Sequence, residues 1–397
     1  MNFSELSLHL HALAVFRPLL DTPVLSCLVR YLDCRRENAP AAQCVDAYAQ
    51  LIAALYETES DTLAVYVQDL VFDNENSYVR CVGKGQTPAP ALQQTVEREL
   101  ATLQAVANLT HEDLCAGLEA VLPPLPQSKA DIVNGYSERV AQMHTRGFGM
   151  YAKYHMFYVE NGEITPVRHP DPVRLTDLVD YEREKACILE NTRALLDGKP
   201  AANMLLTGDA GTGKSSTVKA VVNELYEQGL RIVEVRKEQL RSIPALLDTL
   251  SANPLKFILF IDDLSFAGND DDYSALKAVL EGSVSAKSSN VVIYATSNRR
   301  HLMRESFAER EGDDVHFNDT MQEILSLSER FGIQLRFSRP DKDTYLDIVH
   351  HLVIMHDIDM PMSEVDCRAE RFALARAGRS ARAAKQFVDS LLAGEKV

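Results

Sequence analysis

The sequence predicts an α/β fold: a parallel sheet of five strands covered by helices on both faces, preceded by a mainly helical region and followed by a helical segment. Three observations predict it. Residues Met204 to Lys219 read as a buried strand, a glycine-rich turn and a helix. Phe257 to Ile261 is an unbroken apolar run that ends in two carboxylates, Asp262 and Asp263. From Val173 onward, apolar runs of strand length alternate with helical patterns, an order that implies a parallel sheet buried on both sides.

The chain divides in order. Residues 1–146 read as a mainly helical domain: Leu6, Leu8, Leu10 and Leu13 open an apolar stretch, Val24 to Tyr31 follows, and Leu51, Ile52 and Leu55 recur at helical spacing. Leu63 to Val82 fits strand or helix equally. After a Gly/Pro break at Gly83 to Pro90, helical patterns resume at Ala91 to Asn108 and Thr110 to Val121, with Thr110 as an N-terminal cap, and again at Lys129 to Thr145. Residues 147–172 hold a β-hairpin turning at Asn161-Gly162 and a stiff linker, His169-Pro170-Asp171-Pro172. The aromatics Tyr151, Tyr154, Phe157 and Tyr158 suit a packed hairpin face. Residues 173–340 form the expected core, with strands at Asn203–Leu206, Arg231–Val235, Phe257–Ile261, Val291–Ala295 and Ile333–Phe337. Residues 341–397 show helical periodicity only and read as a small lid.

Composition narrows the function classes. Across 397 residues, 46% hydrophobic and 25% charged describe an ordinary globular chain. The net charge of −16 argues against a protein that coats nucleic acid, since that binding rests on neutralising phosphates with Lys and Arg. Nucleic acid stays possible through a local patch but is not indicated. The seven cysteines form no C-x-x-C pair, so reduced thiols and a cytoplasmic setting are expected. The first residues carry no basic leader and no apolar run approaches a membrane span, so no membrane association is expected.

The chemistry centres on Gly208-Asp209-Ala210-Gly211-Thr212-Gly213-Lys214-Ser215-Ser216, which fits G-x-x-x-x-G-K-[ST] at every fixed position. Its glycines let backbone N–H groups turn inward around phosphate oxygens, and the helix that follows points its positive end at the same place. Lys214 is the expected ligand of the β- and γ-phosphates of ATP, and the Ser215 hydroxyl a ligand of Mg²⁺. Asp262 completes the expected metal set from the carboxyl end of its strand. Asp263 is the candidate general base for the attacking water. Val291 to Ala295 is a second apolar strand, followed by Thr296-Ser297-Asn298, and the Asn298 amide can orient water without adding negative charge. Arg330, in Ser328-Glu329-Arg330-Phe331-Gly332, suits an arginine that stabilises transition-state charge on a neighbouring copy. Gly378-Arg379-Ser380-Ala381-Arg382 opens the last helix, with Ser380 as cap and Arg382 aimed at the nucleotide.

In this order the segments resemble Walker A, Walker B, sensor 1, arginine finger and sensor 2 of AAA+ ATPases. More narrowly, Asp171-Pro172-Val173-Arg174-Leu175-Thr176-Asp177-Leu178-Val179-Asp180-Tyr181-Glu182, Lys237-Glu238-Gln239-Leu240, Asp262-Asp263-Leu264-Ser265-Phe266, Ala295 through Leu302, Ser326 through Gly332 and Pro340 through Tyr345 resemble a bacterial family of AAA+ ATP-binding proteins known only as a domain of unknown function. The resemblance spans residues 145–392. It implies that Leu178 to Tyr181, with Val179 and Tyr181 as the contact residues, lie near the adenine. It also implies a homo-oligomer, a ring or partial ring, in which Arg330 acts in trans. Asp180 stands where a glycine is expected, and Asp263 where most AAA+ proteins have Glu.

The leading expectation is therefore an ATP-hydrolysing protein that uses Mg²⁺ and remodels or regulates a macromolecular partner held through the N-terminal domain. The alternative is a nucleotide-dependent switch or loader related to replication initiators, motivated by Asp262-Asp263 and the arginines of the lid. A small-molecule kinase fits poorly, because sensor and finger motifs have no role in one.

Overall fold

A computed structural model describes residues 3–264, 271–281, 289–298, 329–376 and 378–394. The segments Ser265-Phe266, Arg299 to Leu302 and Ser326 to Ser328, singled out above, lie outside the described residues. The chain forms two compact units, residues 1–153 with 252–254, and residues 154–251 with 255–397.

The first unit is helical. Its main helices are Phe3–His11, Pro23–Arg36, Ala41–Tyr56, Leu63–Asp73, Ser77–Gly83, Pro90–Ala107 and Ile132–Ala141. Leu28, Tyr31, Tyr48, Leu51 and Leu103 are fully buried in one core. Leu63 to Val82, ambiguous in the sequence, is two helices, and the reason is capping. The Thr62 hydroxyl accepts the Val65 N–H, and the Asn76 side-chain carbonyl accepts the N–H groups of Tyr78 and Val79. Thr110 forms a capping box with Asp113, as its position predicts. Glu99 is a buried carboxylate, 5% exposed, that accepts backbone N–H bonds from Ala14, Val15 and Phe16 at 2.7–3.2 Å. It ties the chain leaving the first helix to the helix Pro90–Ala107.

Among the described residues the second unit is a seven-stranded sheet with its helices. The strands are β1 (Met156–Glu160), β2 (Glu163–Pro166), β3 (Met204–Gly208), β4 (Leu230–Val235), β5 (Lys256–Ile261), β6 (Val291–Ser297) and β7 (Ile333–Phe337), in the order β2-β1-β4-β5-β6-β3-β7. The five expected strands are all present and mutually parallel. The hairpin corrects the strand count: β1 pairs in parallel with β4, placing Phe157 opposite Val233, and β2 is an antiparallel edge. Buried Met156, Phe157 and Val159 explain why the hairpin joins the sheet, since their apolar side chains would otherwise face water. The apolar run Phe257 to Ile261 is fully buried, as a central strand covered on both faces requires.

Among the described residues the lid has three helices, Lys342–Met355, Met362–Ala375 and Ala381–Leu392, packed around Tyr345, Val349, Val365, Ala384 and Phe387. Ser380 caps the last of them, its hydroxyl accepting the Ala383 N–H at 3.1 Å. The lid arginines are less free than their run in the sequence suggests. Arg379 forms a two-pronged ion pair with Glu370, and Arg368 pairs with Glu364. Neighbouring carboxylates thus neutralise two of the charges that motivate a nucleic-acid reading. No helix among the described residues is long and apolar enough to cross a membrane.

Candidate nucleotide site

β3 hydrogen-bonds to β6 on one side and β7 on the other, while β5 lies beyond β6. Because these strands are parallel, their carboxyl ends converge on one edge of the sheet, where open α/β sheets hold ligands. At that edge the glycine-rich loop joins β3 to the helix Lys214–Leu225. Gly208, Gly211 and Gly213 all have positive φ, at 147°, 81° and 91°. Space matters as much as conformation at two of them. A Cβ on Gly208 would stand 2.0 Å from the Phe337 carbonyl oxygen, and one on Gly211 would stand 3.0 Å from the Arg382 Cβ. A Gly208→Ala variant is therefore expected to lose about 3 kcal/mol or more of stability, since backbone must move and the residue stays strained. Denaturant unfolding checks this, and a loss below about 1 kcal/mol would contradict the packing described.

Lys214 is buried, and its ammonium donates to the carbonyls of Gly208 at 2.9 Å and Asp209 at 2.8 Å and to the Asn298 side-chain oxygen at 3.0 Å. Burial lowers its pKa, opposed by the carboxylates of Asp262, Asp209 and Asp263. The Ser215 hydroxyl donates to Asp262 Oδ1 at 2.6 Å, and Asn298 Nδ2 donates to Asp263 Oδ1 at 2.6 Å. Thr212 donates to the Asp209 carbonyl, and the Asp209 side chain faces Arg339 at 3.5 Å. Ala210 is exposed at the tip of the loop, and Ser216 lines the cleft one residue beyond Ser215.

Gly211 to Ser216, Asp262, Asp263 and Asn298 bound a cleft of about 720 Å³, and Asp209, Ala210 and Arg339 are not among its lining residues. From the other side it is lined by Val179, Asp180 and Tyr181 and by lid residues that include Ile348, Leu352 and Arg382. The Arg382 N–H also donates to the Gly211 carbonyl at 3.2 Å, which fixes the start of the last helix against the loop. Asp180 and Tyr181 both take the left-handed conformation, at φ 73° and 61°. The aspartate thus supplies the backbone for which a glycine was expected, which its short polar side chain tolerates better than most. Tyr181 is held in place by a hydrogen bond to the Ser338 carbonyl and by its ring, 4.8 Å from that of Phe337. Val179 packs against the lid core.

The structure brings Lys214, Ser215, Asp262, Asp263, Asn298, Val179, Tyr181 and Arg382 to one cleft. It does not bring Arg330 there. Arg330 lies three positions before Ile333, which opens β7 opposite Met204, the first residue of β3. It therefore lies at the amino end of the sheet, about 16 Å along the strand from the loop. Two residues went unassigned in the sequence. Thr296, 2% exposed, contacts both aspartates, and Arg339 pairs with the loop. Only the polarity of Thr296 at the end of an apolar strand hinted at a role.

The donor set fits a magnesium ion. Ser215 Oγ and the Asp262 carboxylate are hard oxygens side by side, and Mg²⁺ takes one or two protein ligands alongside substrate phosphates. Among the described residues no group of three or more His, Cys, Asp and Glu side chains forms a separate metal centre.

Residues 151–395 match the family described as Protein of unknown function (DUF815). No curated protein matches. Among solved structures, the RuvB Holliday junction branch migration motor of Thermotoga maritima is similar at 18% identity and a TM-score of 0.37, covering 56% of this chain and 65% of that one. A single-residue variant of the same protein gives 16% identity and a TM-score of 0.38 over the same shares, so the present chain spans a little under two thirds of these RuvB structures. The FIGL-1 AAA domain in complex with ADP is similar at 16% identity and a TM-score of 0.41, covering 57% of this chain and 74% of that one. With a mostly parallel α/β sheet carrying the glycine-rich loop, the chain belongs to the family described as Protein of unknown function (DUF815).

Proposed function

We propose that this protein binds ATP with Mg²⁺ in the cleft and hydrolyses it, and that it does so as an assembly that remodels or regulates a macromolecular partner gripped through residues 1–146. The observation that carries the reading is the linked set Ser215–Asp262 and Lys214–Asn298–Asp263, joined by hydrogen bonds of 2.6–3.0 Å at the carboxyl ends of three adjacent strands. Such a set has a division of labour. Lys214 and the loop N–H groups neutralise and orient the β- and γ-phosphates. Ser215 and Asp262 would hold Mg²⁺, which supplies charge compensation on the phosphate oxygens. Asp263 accepts a proton from the attacking water, and Asn298, bonded to both Asp263 and Lys214, fixes that water against the γ-phosphate. Arg382 contributes positive charge from the lid, and Val179 and Tyr181 border the base.

ATP turnover per chain should rise with protein concentration, alongside an ATP-dependent increase in mass measured by light scattering on the same samples. Asp263→Asn should abolish turnover and leave nucleotide binding intact. Turnover that persists in the variant would remove Asp263 from the role of base. The shorter Asp263 side chain supports a second reading, a switch that binds ATP and scarcely hydrolyses it. An ATP-dependent change of mass or of partner binding without turnover would select that reading.

A further inference from the structure

We infer that Thr296 is a positioning residue that sets the geometry of both aspartates, so that the metal-binding strength of the site depends on its hydroxyl. The inference rests on the proposed Mg·ATP site and adds to it a residue outside the phosphate loop.

Thr296 stands near the end of β6, beside the end of β5. Its hydroxyl donates to Asp262 Oδ1 at 2.5 Å and accepts the Asp263 N–H at 3.0 Å, while its backbone carbonyl accepts the Leu264 N–H at 2.7 Å. One residue therefore captures three consecutive positions. The consequences differ along the turn. Asp262 Oδ1 receives two O–H donors, from Thr296 and from Ser215 at 2.6 Å, which fixes the carboxylate plane. Ser215 is itself an expected metal ligand. Once its oxygen turns to a cation, Thr296 is the donor that still holds Asp262.

At Asp263 the chain leaves the strand in the left-handed conformation, φ 54°, which is costly for a residue with a Cβ. Pinning the Asp263 and Leu264 N–H groups to Thr296 offsets that cost. It also directs the Asp263 carboxylate to Asn298. Because Thr296 is buried, neither bond is exchanged cheaply for water. Serine keeps both hydroxyl functions, whereas valine keeps the shape and loses both.

The test is the Mg²⁺ dependence of binding of a fluorescent ADP analogue to the full chain, with wild type, Thr296→Val and Thr296→Ser compared. Thr296→Val is expected to raise the Mg²⁺ concentration needed for half-maximal enhancement about tenfold, the loss of one hydrogen bond to a charged group. Its affinity for the analogue in EDTA should match wild type, and Thr296→Ser should stay within about twofold of wild type. A merely structural role would weaken binding equally with and without Mg²⁺. That result, an unchanged Mg²⁺ dependence in Thr296→Val, or equal shifts in the Val and Ser variants would overturn the inference. Wild type that binds the analogue with Mg²⁺ but never hydrolyses ATP would sink the ATPase reading and leave this inference standing. Wild type with no Mg²⁺-dependent binding would sink both.

Discussion

Lys214→Ala is expected to weaken ATP binding by at least a hundredfold in the presence of Mg²⁺, measured by isothermal titration. The magnitude follows from what the side chain does. It is 5% exposed and donates all three of its N–H bonds, to two loop carbonyls and to Asn298. The carbonyls tie the ammonium to its own loop, so the loop's shape and the cation's position are set together. A buried cation facing phosphate makes charge-assisted bonds roughly twice as strong as neutral ones, and losing it removes the charge that offsets the nearby carboxylates of Asp262, Asp209 and Asp263. Hydrogen bonds to charged groups contribute about 1.5–3 kcal/mol each, so the loss of two sets the hundredfold floor. The same variant frees Asn298 Oδ1 and loosens its grip on Asp263, so residual turnover should fall further than affinity. An affinity within threefold of wild type would remove Lys214, and with it the phosphate-binding role of the loop.

The loop was legible in the sequence because each of its fixed positions answers a local demand: Gly208 for room against Phe337, Gly213 for a left-handed φ before the helix, Lys214 for charge. The same holds for Asp262 and Asp263, which end a run too apolar to lie anywhere but in the middle of the sheet. What stayed hidden depends on residues far apart in the chain. The turn at Asn161-Gly162 announces a hairpin, yet nothing local says that Phe157 pairs with Val233. Thr296 reads as one polar residue among three that follow the apolar run Val291 to Ala295, and its importance appears only when β5 is laid beside it. The arginines of the lid read as a basic run because Glu364 and Glu370 sit a turn or more away from Arg368 and Arg379. Helix against strand at Leu63 to Val82 was a different case. The caps Thr62 and Asn76 were present in the sequence, but two short apolar helices in succession have no clear period of their own.

Arg330→Ala is expected to lower ATP turnover about a thousandfold while changing ATP affinity less than threefold, which is the range an arginine finger contributes. The sheet supplies the reason for the split. Arg330 sits at the amino end of β7, and the loop sits beyond the carboxyl end of the neighbouring β3, so the arginine is absent from the cleft of its own chain. A direct contact with the γ-phosphate would then have to be made to another copy. Mixing variants turns this geometry into a decisive experiment. Arg330→Ala keeps a complete cleft but offers no arginine, and Asp263→Asn keeps the arginine but has no base. Each alone should be nearly inactive. Mixed, an intact cleft meets an intact arginine at a fraction of the interfaces, and turnover should recover to a sizeable share of the wild-type rate. A structural arginine predicts the opposite, since a chain damaged by its loss stays damaged whatever its neighbour. Failure of the mixture to recover, with co-assembly verified by light scattering, would place the role of Arg330 within its own chain.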